Sequence, residues 1–298
     1  MRIVSVGDLV VDYYYKDGKL LGINGGMTSH NIIANLAKKG IKTAAFACCG
    51  DDFQGQIAIK SLEKLKVDIS NIKIIKGIKT RCFHISYHDE NGKLSFTSKK
   101  RCPFCDTKKW YEESLLDTKY ILSNIKPDDI LVFDNLNEKN QVIIDNVDNK
   151  KVIDLGQYFE LEKMSNEEII KKIDNKFEII NFNERVSNYL LKRLNLENEL
   201  DLYNIIHPQL MTITRGENGA TFIANDNIYN FKLISRCDVV DSTGAGDAFI
   251  SSVIKECIKN NFVYGTNKFK KWYENYHKLT AKVVSKMGAR VHINYLFK

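Results

Sequence analysis

Apolar residues along the chain fall into short continuous runs separated by stretches with helical spacing, and the two alternate over most of its length. That alternation predicts an α/β fold, a mainly parallel sheet with helices on both faces. Residues 2–6 read as a first strand. Residues 29–40 read as a helix with Ile32, Ile33, Leu36 and Ala37 on one face and Gly40 as its stop. A second strand is expected over 43–48 and a second helix over 52–65. Residues 80–87 and 93–97 alternate as the arms of a hairpin about Asp89, Glu90, Asn91 and Gly92. Further strands are expected at 120–122, 130–133, 151–155, 178–180, 210–214 and 220–224, the last two about a turn at 216–219. A helix runs from Asp247 to about Cys257, and an amphipathic one covers about 267–287.

Composition sharpens this only in part. The 298 residues include 3 prolines and no Pro/Gly/Ser-rich linker, so one domain over 1–298 is expected. The 44 basic residues exceed the 37 acidic ones by 7, but they are scattered, which speaks against nucleic acid and mildly favours anionic ligands. No apolar run approaches the ~18 residues of a membrane span, and the apolar stretch before Asp8 is too short for a signal peptide. The 7 cysteines are an odd number, which suits reduced thiols in a cytoplasm. Cys102 and Cys105 form one C-x-x-C pair without the second pair that zinc usually needs; His84 and His88 stay open as partners, and plain thiols are preferred.

The chemistry is concentrated near the C-terminus, in Asp241-Ser242-Thr243-Gly244-Ala245-Gly246-Asp247. A Gly-rich turn opening a helix aims N–H groups and the positive end of the helix dipole at an anion. A carboxylate there would repel a resting anion. It makes sense as a base that removes a proton from a nucleophile attacking phosphorus.

Thr243 to Asp247 resembles the C-terminal signature of the ribokinase-like (PfkB) sugar and nucleoside kinases. It is not a Walker A loop, since no Gly-Lys-Ser/Thr follows. The resemblance implies that Asp247 is the general base and that the N–H groups of Gly244, Ala245 and Gly246 form an anion hole. It also implies an ATP-dependent kinase acting on a sugar, with a nucleoside kinase or a non-catalytic ligand sensor as alternatives.

Other segments resemble the same family over nearly the whole chain. Asp12, in Gly7-Asp8-Leu9-Val10-Val11-Asp12, matches an acidic residue that binds sugar hydroxyls. Gly25-Gly26 followed by Asn31 resembles the first family signature, with one residue more than usual in the gap. A β-sheet lid is implied at about 12–24 and 80–100. The brevity of its first ribbon resembles the fructoselysine kinase branch, and Tyr13, Tyr14 and Tyr15 could line a sugar or pack in a lid-to-lid homodimer. Asn181-Phe182-Asn183-Glu184 resembles the Asn-x-x-Glu element that holds Mg²⁺ through water. The family's Asn can be matched to Asn181, with Glu184, or to Asn183, with Val186 then at the Glu position. Thr214, Gly216 and Gly219 resemble a turn that contacts ATP phosphates; Arg215 within it either approaches phosphate or makes a surface ion pair. Asp241, Thr243 and the loop around Gly288 resemble a monovalent-cation (K⁺) site of some members.

Overall fold

The computed structural model describes residues 1–90, 93–99, 114–156, 161–234 and 243–284. Within them a first strand β1 (Ile3–Asp8) runs almost directly into β2 (Val10–Lys16), which turns at Asp17 and Gly18 into β3 (Lys19–Gly25). The pattern then alternates: α1 (Thr28–Ala37), β4 (Thr43–Gly50), α2 (Phe53–Glu63) and β5 (Ile72–Ile75), followed by the hairpin β6 (Arg81–Glu90) and β7 (Lys93–Lys99). Next come α3 (Thr118–Asn124), β8 (Ile130–Phe133), α4 (Glu138–Asp145), β9 (Lys151–Leu155), α5 (Asn166–Ile173) and β10 (Ile179–Asn183). The remainder is α6 (Glu184–Leu194), α7 (Glu199–Ile206), β11 (Leu210–Thr214), β12 (Ala220–Ala224), β13 (Asn227–Phe231), α8 (Ala245–Lys259) and α9 (Thr266–Val284).

Among the described residues nine strands form one sheet in the order β13-β12-β11-β10-β9-β8-β1-β4-β5. Every pairing from β5 to β11 is parallel, and β12 and β13 add antiparallel at the edge. The central strands are buried on both faces, as the continuous apolar runs require. Ile130, Val132, Val152, Ile179 and Leu210 pack beneath Phe249 and Ile250 of α8. The alternate residues Leu131, Phe133, Ile153, Ile180 and Met211 meet Ile143 of α4, Ile169 of α5 and Leu190 of α6 on the other face. This is the α/β architecture that the alternation implied.

A second, four-stranded sheet has the order β3-β2-β6-β7 and corresponds to the expected lid. Val11, Tyr13 and Ile23 join the main core, whereas Tyr14, Ile85 and Tyr87 form a small cluster of their own. Tyr13 also accepts a hydrogen bond from Gln54 of α2 at 3.1 Å, so it packs against the body of the molecule.

One expected strand is a helix. Residues 120–122 lie in α3, where Asp117 caps the first turn by accepting from Tyr120 N at 3.1 Å and only Ile121 is buried. Three apolar residues carry no period, and the cap decides between the two. Strands β5 and β13 were not expected: β5 is four residues long with Lys73 and Ile74 exposed, and β13 is reached through a tight turn in which Asn225 and Asp226 both take positive φ.

Candidate active site

Helix α8 begins at a left-handed Gly244, φ 83°, a conformation that favours glycine. Gly246 differs: a Cβ built on it would meet nothing within 4 Å, and its φ is not positive. Among the described residues neither packing nor backbone conformation demands a glycine there. The open space before the helix start is where an anion would sit.

Asp247 follows in the first turn, 8% exposed. Its Oδ2 accepts a hydrogen bond from Asn31 Nδ2 at 2.7 Å. The helix after Gly25-Gly26 and the helix after Gly244 thus meet through side chains 216 residues apart.

Asp12 lies on β2, also buried, with Oδ2 accepting from the Tyr14 hydroxyl at 3.1 Å. Gly26 lies flat against it: a Cβ there would fall inside contact distance of the Asp12 carboxylate. Gly25 pairs with Val11, and Gly26 N donates to the Val10 carbonyl at 3.0 Å, which keeps the two glycines alongside Asp12.

Two further carboxylates, Asp134 and Asp154, and the Asn181 amide lie at or near the ends of β8, β9 and β10. Asp154 and Thr212 are the strand partners of Asn181, and all three lie on the α8 face of the sheet. Asn181 Nδ2 donates to Asp154 Oδ1 at 2.9 Å, and Thr212 Oγ1 donates to Asn181 Oδ1 at 2.7 Å. Burial pushes the Asp154 carboxyl up to about 7, with the charges of Asp247 and Asp134 adding to the shift. Asp134 in turn accepts from Ser29 N, at the start of α1, at 2.9 Å. Sequence reasoning did not single out Asp134 or Asp154. The available signal was a carboxylate at the C-terminal end of each strand, where sheets of this kind present ligand-binding groups.

The residues expected at the nucleotide end divide. Asn183 caps α6 by accepting from Val186 N at 2.9 Å and donates to the Gly156 carbonyl at 2.8 Å. Glu184, 43% exposed, pairs with Arg215 at 3.1 Å. Arg215 also holds Glu199 at 2.7 Å and Thr221 Oγ1 at 3.1 Å, so its guanidinium makes the surface ion pair. Thr214 closes β11, and Gly216 and Gly219 shape the turn into β12. Gly219 takes φ 101°, and a side chain there would collide with the Phe231 carbonyl.

Among the described residues no group of three His, Cys, Asp or Glu side chains is placed to grip a metal directly. Asn181 Oδ1, Asn183 Oδ1 and Glu184 Oε1 accept from Thr212, Val186 and Arg215, and amide and carboxylate oxygens are the donor types that an ion keeping its waters, such as Mg²⁺, takes. Thr243 stands just before Gly244, while Asp241, the Gly288 loop, Cys102 and Cys105 lie outside the described residues. The buried cysteines Cys48, Cys49, Cys82 and Cys257 are free thiols. No described helix is long and apolar enough to cross a membrane.

Comparison with solved structures returns proteins of the same fold. The ATP-bound fructokinase of Xylella fastidiosa superposes with a TM-score of 0.78 at 16% identity, covering 97% of this chain and 94% of that one. A double mutant of the Vibrio cholerae fructokinase, with fructose, ADP and potassium bound, gives 0.75 at 17% identity over 98% and 94%. The Methanocaldococcus jannaschii nucleoside kinase gives 0.72 at 17% identity over 99% and 95%. No curated protein matches in sequence. Residues 3–290 match the pfkB family carbohydrate kinase profile, and the chain belongs to that family of phosphotransferases.

Proposed function

We propose that this protein, as one kinase domain, transfers the γ-phosphoryl group of ATP to a hydroxyl of a sugar or sugar derivative. The observation that carries this is the buried Asp247 in the first turn of a helix opened by Gly244, Ala245 and Gly246, joined through Asn31 to the helix that follows Gly26, itself against Asp12. In this mechanism Asp247 takes the hydroxyl proton as that oxygen attacks phosphorus, and the proton stays on its carboxylate until product leaves. The N–H groups of Gly244, Ala245 and Gly246 receive the charge that spreads over the phosphoryl oxygens. Asp12, flanked by Gly25, Gly26 and Asn31, holds the acceptor; a carboxylate can accept from two neighbouring hydroxyls, which suits a polyol.

Thr214, Gly216 and Gly219 form the turn against which the nucleotide phosphates lie, with Arg215 holding Glu184 in place. Asn181 or Asn183 and Glu184 would hold Mg²⁺ through water, where it would supply positive charge against the phosphates. Thr243 and Asp241 are the side chains closest in sequence to a K⁺ position, as potassium accompanies ADP in the Vibrio cholerae fructokinase. The reduced thiols support a cytoplasmic setting. A second copy's lid is the partner that would complete the cover, because the first lid ribbon has only seven residues in each arm.

A nucleoside acceptor is the second reading, favoured by the likeness to the Methanocaldococcus jannaschii nucleoside kinase. The deciding experiment measures ADP formation with ribose, fructose, fructosamines and nucleosides, using the protein and its Asp247→Asn variant. Higher kcat/KM is expected for substituted sugars than for free ribose or fructose, since a short lid excludes less water than a substituent would. The variant should bind ATP and lose kcat by about 10²–10⁴-fold. Full turnover by a folded Asn variant would remove the base, and no transfer to any acceptor would favour a ligand sensor on the same fold.

A further inference from the structure

The side chain of Asn31 serves the acceptor by its place after Gly25-Gly26, yet it touches Asp247. We infer that Asn31 is a positioning residue for the base, holding the Asp247 carboxylate in the orientation from which it takes the proton. The inference rests on the assignment of Asp247 as base. Carboxylate torsions are broad and roughly two-fold, so an untethered Asp samples many planes. A hydrogen bond of 2.7 Å between an amide 5% exposed and a carboxylate 8% exposed selects one of them. Donation to Oδ2 also leaves the orientation of Oδ1 determined by the same plane.

The donor itself is braced from four sides. Asn31 N donates to the Met27 carbonyl at 2.9 Å, and Ser29 N to Asp134 Oδ2 at 2.9 Å. His30 Nδ1 and Ser5 Oγ lie 2.8 Å apart in a fully buried contact with β1. From the base's own helix, Ser251 Oγ donates to the Ile32 carbonyl at 3.2 Å, so α1 and α8 are tied one turn beyond the Asn31–Asp247 contact. Met27, the residue before α1, has φ 80° and ψ 128°, a backbone that a methionine rarely adopts. Such strain persists only where the surroundings impose it. It lies in the segment between Gly26 and Asn31, whose length sets where the Asn31 amide is delivered.

The test uses Asn31→Asp, equal in size, which replaces the donor by a group that repels Asp247 and can still accept from sugar hydroxyls. Steady-state kinetics are run with whichever of D-ribose, D-fructose, a fructosamine and inosine gives the highest kcat/KM. A fall in kcat of about 10²-fold is expected from misalignment of the base, with KM for acceptor and ATP changed by less than about threefold. Asn31→Leu, uncharged, should lose kcat likewise, with acceptor KM raised as its polar contact goes and ATP KM unchanged, and it answers the question if the two buried carboxylates keep the Asp variant from folding. In an Asp247→Asn background the Asn31 changes should cost little further kcat, because both act through one group. A raised acceptor KM with kcat preserved, or additive losses in the double variant, would overturn the positioning role. If Asp247→Asn alone retains wild-type kcat, the base assignment itself is wrong; if it is inactive while both Asn31 variants keep kcat, only the positioning role fails.

Discussion

Tyr14 and Gly26 grip one carboxylate from two sides, and that small arrangement sets what Asp12 can do. The hydroxyl of Tyr14 reaches Oδ2 at 3.1 Å while the bare Cα of Gly26 lies against the carboxylate. Tyr14→Phe removes one donor and keeps the ring stacked near Tyr87, whose centroid is 6.2 Å away. Loss of about 1 kcal/mol is expected in acceptor binding, read as a roughly fivefold rise in acceptor KM with ATP KM unchanged. Asp12→Ala should cost about 1.5–3 kcal/mol in the same measurement; equal weakening of ATP in calorimetry would make Asp12 structural. Gly246→Val should fold, since nothing lies within 4 Å of the added Cβ, and should lose most of its activity because the branch fills the anion's place. Normal turnover by that variant would make the turn structural. Asp247, Asp12 and the glycines were legible because each sits in a local motif whose backbone requirement shows in neighbouring residues. Asp134 and Asp154 were not, since their contacts with Ser29 and Asn181 form only when segments far apart in sequence meet. The Tyr14–Asp12 contact spans two residues of one strand and follows from the strand period.

Helices α1 and α8 meet through Asn31 and Asp247, and their packing includes a cost. Lys39, just past α1, points its ammonium at Ser252 Oγ, 3.2 Å away on α8. Burial, then the charge of Lys255, lower its pKa from 10.5 to about 8, with Glu256 opposing. Between about 8 and 10.5 the unfolded chain binds more protons than the folded one, so stability from this site rises with pH across that window and is lowest below it. Lys39→Met should therefore raise stability near pH 7 by on the order of 1 kcal/mol, discounted because the side chain is partly exposed. The gain should shrink as pH climbs through 8 toward 10.5; a pH-independent difference in denaturant midpoints would show that titration is not its cause. At this scale the sequence was most readable where period and cap agreed, as in α1, whose Gly40 stop takes φ 79°. It was least readable where an apolar run was too short to carry a period, as at 120–122, or where an edge strand such as β13 exposes alternate residues.

At the scale of the whole molecule the small sheet joins the body through the apolar packing of Val11, Tyr13 and Ile23 and through a set of polar contacts near β6. Asp52 caps α2 by accepting from Gly55 N at 2.9 Å and also accepts from Thr80 N at 3.0 Å and Thr80 Oγ1 at 2.6 Å, just before β6 begins. One residue on, Arg81 pairs with Asp8 at 3.2 Å, where β1 gives way to the lid. The Asp8 side chain is 3% exposed and also accepts from Cys48 Sγ and Ser114 Oγ, both at 2.9 Å. Two weak donors cannot replace a guanidinium, so Arg81→Leu leaves a buried charge poorly compensated. A loss of about 2–3 kcal/mol is expected, the lower end of the range for a broken buried pair because Arg81 is 24% exposed. Adding Asp8→Asn should recover part of that loss, since the stranded charge goes with it. The functional consequence follows from geometry: a lid freed at its first strand admits water beside the phosphoryl group, so ATP hydrolysis without transfer should rise relative to phosphorylated acceptor. Both readouts come from one preparation, thermal unfolding for the anchor and the ratio of ADP to product for the cover. If Arg81→Leu melts at the wild-type temperature with an unchanged ratio, the lid is held elsewhere and the Asp8–Arg81 pair does not govern it.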